Sequence, residues 1–150
     1  MILHKIILKL MPTIERKASN NISVVAGVLI QNKKFLISTR PKKKDFEGFW
    51  EFPGGKVNYN ETKEQALYRE IKEELNTELD LDSIKLFNQY IFSFPKYKVS
   101  LTFFSCKNWN GIIIPMEDQK VKWIKSSEIF QYDFLPSNNK VLKKIMKELD

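Results

Sequence analysis

Glu70, Glu73 and Glu74 stand three and four residues apart in the run YREIKEEL, so a helix through them crowds their carboxylates onto one face. Like charges four apart destabilise a helix by about 0.2–0.5 kcal/mol per pair, and Glu70 faces Glu74 where a lysine would relieve it. A cation must offset this crowding. Hard divalent ions such as Mg²⁺ take oxygen ligands and commonly bind phosphate-bearing substrates at the same time, so the pattern points to metal-assisted phosphate chemistry. Other agents of catalysis are scarce. The single cysteine, Cys106, lies in the apolar stretch LTFFSC, which predicts a buried, inert thiol. The single histidine, His4, is near the N-terminus, so a histidine base or triad requires that tail to fold back into a site. Catalysis therefore rests on carboxylates, lysines, arginines and a metal.

The elements that position these groups must come from 150 residues, which is one domain with room for a real core. A composition 43% hydrophobic and 29% charged is that of a soluble globular chain. No apolar run approaches the roughly 20 residues a membrane-spanning helix needs, and a lone cysteine suits a reducing cytoplasm. The net charge of +7 attracts polyanions. Lysine is nevertheless spread along the chain, and the tightest cluster, Lys42-Lys43-Lys44, is short, which favours a solvated basic surface over a dedicated nucleic-acid face.

Residues 1–21 form an N-terminal extension whose apolar run is interrupted by His4, Lys5 and Lys9, so it lacks the clean core of a signal peptide. A short amphipathic helix, an edge strand and an unordered tail all stay open, as does Met11 as the true start. Residues 22–150 read as the domain. ISVVAGVLI, Ile22 to Ile30, predicts a buried strand, and Phe35 to Thr39 returns from a turn at Gln31–Lys34 as its hairpin partner. In FWEFPGG, the run Pro53-Gly54-Gly55 is expected to break regular structure and let backbone approach a ligand closely. The helix starts near Glu61 or Thr62, with Thr62 and Gln65 as a capping box. Ala66, Leu67, Ile71 and Leu75 form its apolar face, and Asn76 closes it in left-handed geometry. Ile84–Phe94, Lys98–Cys106 and Val121–Ile124 read as strands, Ser126 or Ser127 as the cap of a short helix, and the segment from Ser137 as an amphipathic helix. The order predicts a mixed sheet with helices on its faces, an α+β (α/β) architecture.

Gly55, then Glu61, then Arg69-Glu70-Ile71-Lys72-Glu73-Glu74 reproduce most of the Nudix box, with Asn76 and Thr77 departing from it at its end. EFPGGKV before the box, with WIKSSE and DFLPSNNKVL after it, resembles the MutT branch of the Nudix hydrolases. The resemblance implies the Nudix fold and a Mg²⁺-dependent hydrolysis, with Mn²⁺ as a substitute, that splits a nucleoside triphosphate into a monophosphate and pyrophosphate. Oxidised purine nucleotides such as 8-oxo-dGTP are the implied substrates. It further implies that Glu70, Glu73 and Glu74 bind the metal together with the Gly55 carbonyl, while Glu61 and Arg69 orient them. Glu117, or Asp118 beside it, is the implied additional carboxylate, as a fourth ligand or as the base. Arg40 is the implied contact to phosphate or sugar. Asn138, or Asn139 if the register slips, would read the purine edge between walls formed by Phe52 and Phe94. For Asn138 the competing reading is a helix N-cap; for Phe52 and Phe94 it is plain core.

Two other functions compete. One keeps the metal site and changes the base, to CTP or a modified cytidine triphosphate. The other is a non-catalytic Nudix-like module that binds nucleotide or nucleic acid, against which the retained Glu61, Glu70, Glu73 and Glu74 argue. A cytoplasmic monomer without a stable nucleic-acid complex completes the expectation.

Overall fold

The computed structural model of the chain describes residues 21–40, 42 and 46–149. The expectations for the N-terminal extension, and for Lys43 and Lys44, lie outside these. The elements in order are β1 (Asn21–Gln31), β2 (Lys34–Thr39), β3 (Trp50–Glu51), β4 (Gly54–Lys56), α1 (Lys63–Leu75), β5 (Glu78–Leu79), β6 (Lys85–Ser93), β7 (Lys98–Cys106), β8 (Trp109–Asn110), β9 (Val121–Ile124), 3₁₀ turns at Ser126–Gln131 and Pro136–Asn138, and α2 (Asn139–Glu148). The expected α+β architecture is present. A mixed sheet runs β3-β2-β1-β7-β6, with β4 added to β1 and β9 to β2. β1 and β7 pair in parallel over nine positions, Asn21–Lys98 to Leu29–Cys106, while β2 and β4 meet β1 in antiparallel pairings.

Side chains alternate across a strand, and β1 therefore feeds two cores. Val24, Ala26 and Val28 pack with Phe35, Phe52, Phe103 and the α2 residues Val141, Leu142 and Ile145. On the other face, Val25 and Leu29 pack with Ala66, Leu67, Ile71 and Leu75 of α1. Those four α1 side chains have no exposed surface, and burying each Leu or Ile contributes about 1.5–3 kcal/mol. Cys106 sits fully buried in this second core, where desolvation pushes its thiol up to about 12, so the expectation of an inert cysteine holds.

Both ends of α1 are as the sequence predicts. The Thr62 hydroxyl accepts the Gln65 N–H at 3.1 Å while the Gln65 side chain accepts the Thr62 N–H at 2.9 Å, and Asn76 takes φ 54° in the left-handed region. The β1–β2 turn is likewise tight, with Asn32 and Lys33 at φ 51° and 59°.

One expectation holds only in part. Pro53 does break the chain between β3 and β4, but Gly54 and Gly55 are strand residues paired with Ala26 and Val25. They fit there because they lack side chains, and a Cβ on Gly54 would run into the Val25 carbonyl.

Candidate active site

The glycine strip of β4 lies against α1, and the helix presents its acids to it. Glu70 and Glu74, 6% and 2% exposed, are buried among the apolar residues of the helix. Charged side chains are almost never this enclosed without partners, and here the partners are backbone and arginine. Glu74 Oε2 accepts the Gly54 N–H at 3.2 Å. The Glu70 carboxylate fills the space where a Gly55 side chain would stand.

Arg69 supplies positive charge to the acids around it. Its Nε and one terminal nitrogen hold both oxygens of Glu61 at 3.1 and 2.6 Å. The same terminal nitrogen donates to the Lys56 carbonyl at 2.9 Å, and the other donates to Glu70 Oε1 at 2.8 Å. Glu73 Oε2 lies 3.7 Å from this second nitrogen. A planar guanidinium with five fixed donors suits such a fork, and lysine does not. The hydrogen bond from Arg69, aided by the Asn58 N–H at 2.6 Å, holds the Glu61 carboxyl below the ordinary 4.5. In return Glu61, and after it Glu70, keeps Arg69 even more firmly protonated than usual.

A carboxyl depressed by folding stabilises the protein above its unfolded pKa, and that stabilisation is lost as pH falls through the folded value. Glu61→Gln is accordingly expected to cost about 1 kcal/mol at neutral pH. The gap should be constant above pH 4.5 and should close under stronger acid. Urea midpoints measured across pH check this; a gap that persists in strong acid would exclude the pair as its source.

The three helix acids are not equivalent. The Glu73 side chain is 53% exposed and leans toward Arg69, whereas Glu70 and Glu74 turn inward. Among the described residues no three acidic, histidine or cysteine side chains form a ready-made metal cluster, so the convergence of Glu70, Glu73 and Glu74 expected from helical spacing is only partial. One Arg69 nitrogen bridges Glu70 and Glu73, at 2.8 and 3.7 Å, while Glu74 turns to the Gly54 N–H instead. The donors still fit a hard dication: all are oxygens, and the Glu70 carboxylate lies directly against Gly55, where a side chain would otherwise stand.

Glu117 is half-buried in the loop between β8 and β9. That loop docks on the end of α1: the Ile114 N–H donates to the Leu75 carbonyl and the Met116 N–H to the Glu74 carbonyl, both at 2.9 Å. Asp118, the alternative acid, is exposed at a left-handed φ of 57°.

On the other face of the sheet, a cavity of about 280 Å³ is lined by Arg40, Phe46, Phe92, Phe94, Leu135 and Ser137 with their neighbours. Phe94 does line it, stacked on Tyr97 at 4.8 Å between centroids. Phe52 does not: it has no exposed surface and is enclosed by Phe35, Phe103 and Phe134. Its assignment as a base wall is corrected to core: it lies in the gap between β3 and β4 and packs into the α2-side core. Arg40 is 2% exposed, with its guanidinium 4.0 Å from Glu51 and 5.8 Å from the Phe46 ring centre. Asn138 adjoins the cavity residue Ser137, is 5% exposed, and its side chain makes no capping bond to α2. Asn138 thus stands at the N-cap position of α2, as the competing reading has it, but its side chain does not do the capping. Asn139 is already the first residue of the helix.

Two participants escaped the sequence reading. Glu51, 2% exposed beside Arg40, is signalled only by an acid between two aromatics in WEF. Gln119, 5% exposed, carries no periodic signal: it bonds Glu117 two residues away and Glu74 45 residues away.

A glycine strip facing paired helix carboxylates, with an arginine–glutamate brace behind them, defines a class of protein. The chain matches the NUDIX domain over residues 21–148 and belongs to that family. Within it the chain is a MutT-like Nudix hydrolase. It is 32% identical over 128 residues to the 8-oxo-dGTP diphosphatase of Buchnera aphidicola from Schizaphis graminum, spanning 83% of this chain and 93% of that one. It is 31% identical over 129 residues to the CTP pyrophosphohydrolase of Escherichia coli, spanning 83% and 91%. Among solved structures, a MutT protein from work on Aliivibrio salmonicida and Vibrio cholerae superposes with a TM-score of 0.73 at 32% identity, covering 85% of this chain and 98% of that one. Nudix hydrolases act on phosphoanhydride bonds and generally need a divalent metal.

Proposed function

We propose that this chain is a Mg²⁺-dependent nucleoside triphosphate pyrophosphohydrolase that converts oxidised purine nucleotides, 8-oxo-dGTP foremost, to the monophosphate and pyrophosphate. The observation that carries the chemistry is the burial of Glu70 and Glu74 against Gly54 and Gly55. Glu70, Glu73, Glu74 and Glu117, with the Gly55 carbonyl, would hold Mg²⁺ or Mn²⁺, which supplies charge neutralisation on the triphosphate and a more acidic water. Arg69, held in place by Glu61, orients Glu70 and Glu73. Glu117 accepts the proton of the attacking water as oxygen adds to phosphorus and the anhydride P–O bond breaks.

For the base, the reading rests on the cavity of Phe94 and Arg40 beside Asn138. An amide donates and accepts at once, and so pairs with the O6 acceptor and the N7–H donor of an oxidised guanine. Relatives named 8-oxo-dGTP diphosphatase favour this substrate. The similarly close CTP pyrophosphohydrolase favours the alternative of a cytidine nucleotide. Steady-state hydrolysis of 8-oxo-dGTP, dGTP and CTP with Mg²⁺ separates them. The expected result is a kcat/KM for 8-oxo-dGTP at least about tenfold above both, the worth of one good hydrogen bond. It should fall toward that of dGTP in Asn138→Ala. Equal values for the three nucleotides would defeat the substrate assignment and leave the metal site standing. We further place the enzyme in the cytoplasm as a monomer that acts on free nucleotides without a stable nucleic-acid complex. Among the described residues no helix is long and apolar enough to cross a membrane.

A further inference from the structure

Glu117 is carried by a loop, and a carboxylate that takes a proton must be held within hydrogen-bond reach of it; an error of about 1 Å can cost a hundredfold in rate. The loop is pinned at two ends. On one side the Ile114 and Met116 N–H groups bond the last carbonyls of α1. On the other, Thr39 and Lys120 exchange hydrogen bonds, the Thr39 N–H to the Lys120 carbonyl and the Lys120 N–H to the Thr39 hydroxyl, both at 2.9 Å. Between these pins the chain arches over Asp118 in the left-handed region, a conformation a non-glycine residue keeps only when its surroundings enforce it.

The enforcing group is Gln119. Its side chain turns back under the arch and is 5% exposed. Its Oε1 accepts the Glu117 N–H at 2.8 Å, and its Nε2 donates to the Glu74 carbonyl at 2.9 Å. The two bonds demand opposite polarity, so they fix the amide orientation and require both a donor and an acceptor on one side chain. We infer that Gln119 is a positioning residue, whose buried carboxamide couples the backbone of Glu117 to Glu74 and so holds the loop carboxylate in register with the carboxylates of α1. This rests on Glu117 acting in the reaction as proposed above.

The test is a double-mutant cycle on the full chain with Mg²⁺ and whichever nucleoside triphosphate the wild type hydrolyses best, read as kcat and KM with melting temperatures alongside. Gln119→Ala is expected to lower kcat about 10–100-fold, the usual cost of losing a partner that orients a metal-site group, with KM changed little. In the Glu117→Gln background the same substitution should lower kcat no more than about twofold, because residues that act as a unit are not additive. An equal loss in both backgrounds, or no loss in the wild-type background, overturns the inference. Gln119→Glu guards against a folding defect, since it keeps the size and the acceptor and removes the donor at neutral pH. It too should lower kcat, and full activity in it would show that the bond to Glu74 positions nothing. An undiminished kcat in Glu117→Gln alone fails differently: it removes Glu117 from the reaction, whatever Gln119 does.

Discussion

Glu74→Gln is expected to lower Mg²⁺-dependent pyrophosphate release by about a thousandfold or more, since charge stabilisation by a metal is worth several kcal/mol, while the protein stays folded. The carboxylate is 2% exposed and accepts the Gly54 N–H. Glutamine has the same shape and an oxygen to keep that bond. It also removes one negative charge from a crowded face, so the melting temperature should hold or rise. Activity and stability are thus predicted to move independently. Pyrophosphate release at saturating Mg²⁺, with thermal melts on the same samples, checks both; undiminished turnover in the folded variant would remove Glu74 from the metal site.

Gly55→Ala is expected to be nearly as damaging for a different reason. The added methyl would occupy the position of the Glu70 carboxyl group, and β4 cannot retreat because Gly55 is paired with Val25 in the sheet. The carboxylate must yield and give up its bond to Arg69. Crowding of this kind costs about 1–3 kcal/mol of stability. Misplacing a ligand should weaken metal affinity by at least about tenfold and turnover by about a hundredfold. Mn²⁺ titration of the variant reads the first effect without any substrate. Unchanged Mn²⁺ affinity would mean that Glu70 is not a ligand, even if turnover fell.

How much of this was legible in the sequence depends on whether the determining contacts are local. Thr62, Gln65 and Asn76 act within a few residues of themselves, and both caps of α1 form as their types and spacing predict. Glu61 and Arg69 are eight apart, yet the box spacing was enough to pair them. Periodicity located β1, β2, β6, β7 and β9 because each contributes a row of side chains to a core. It missed β3, β4, β5 and β8, strands of two or three residues that have no period to show. β4 was hidden further by its glycines, whose usual meaning as breakers is overridden by pairing with β1. Phe52 illustrates the limit for the site. Its type suited a base-stacking wall, but only the packing with Phe35, Phe103 and Phe134 reveals that it faces inward. Gln119 lies 45 residues from its partner Glu74, and no local pattern announces such a bond.

The two cores on opposite faces of the sheet have a consequence for how such a protein can change over time. The carboxylate helix rests on one core, through Leu67, Ile71 and Leu75. The cavity proposed for the base rests on the other, through Leu135, Phe94 and the α2 residues. Substitutions that reshape the cavity therefore load a different set of contacts from those that hold the hydrolytic machinery. Substrate preference can drift on one side while the reaction is inherited intact on the other.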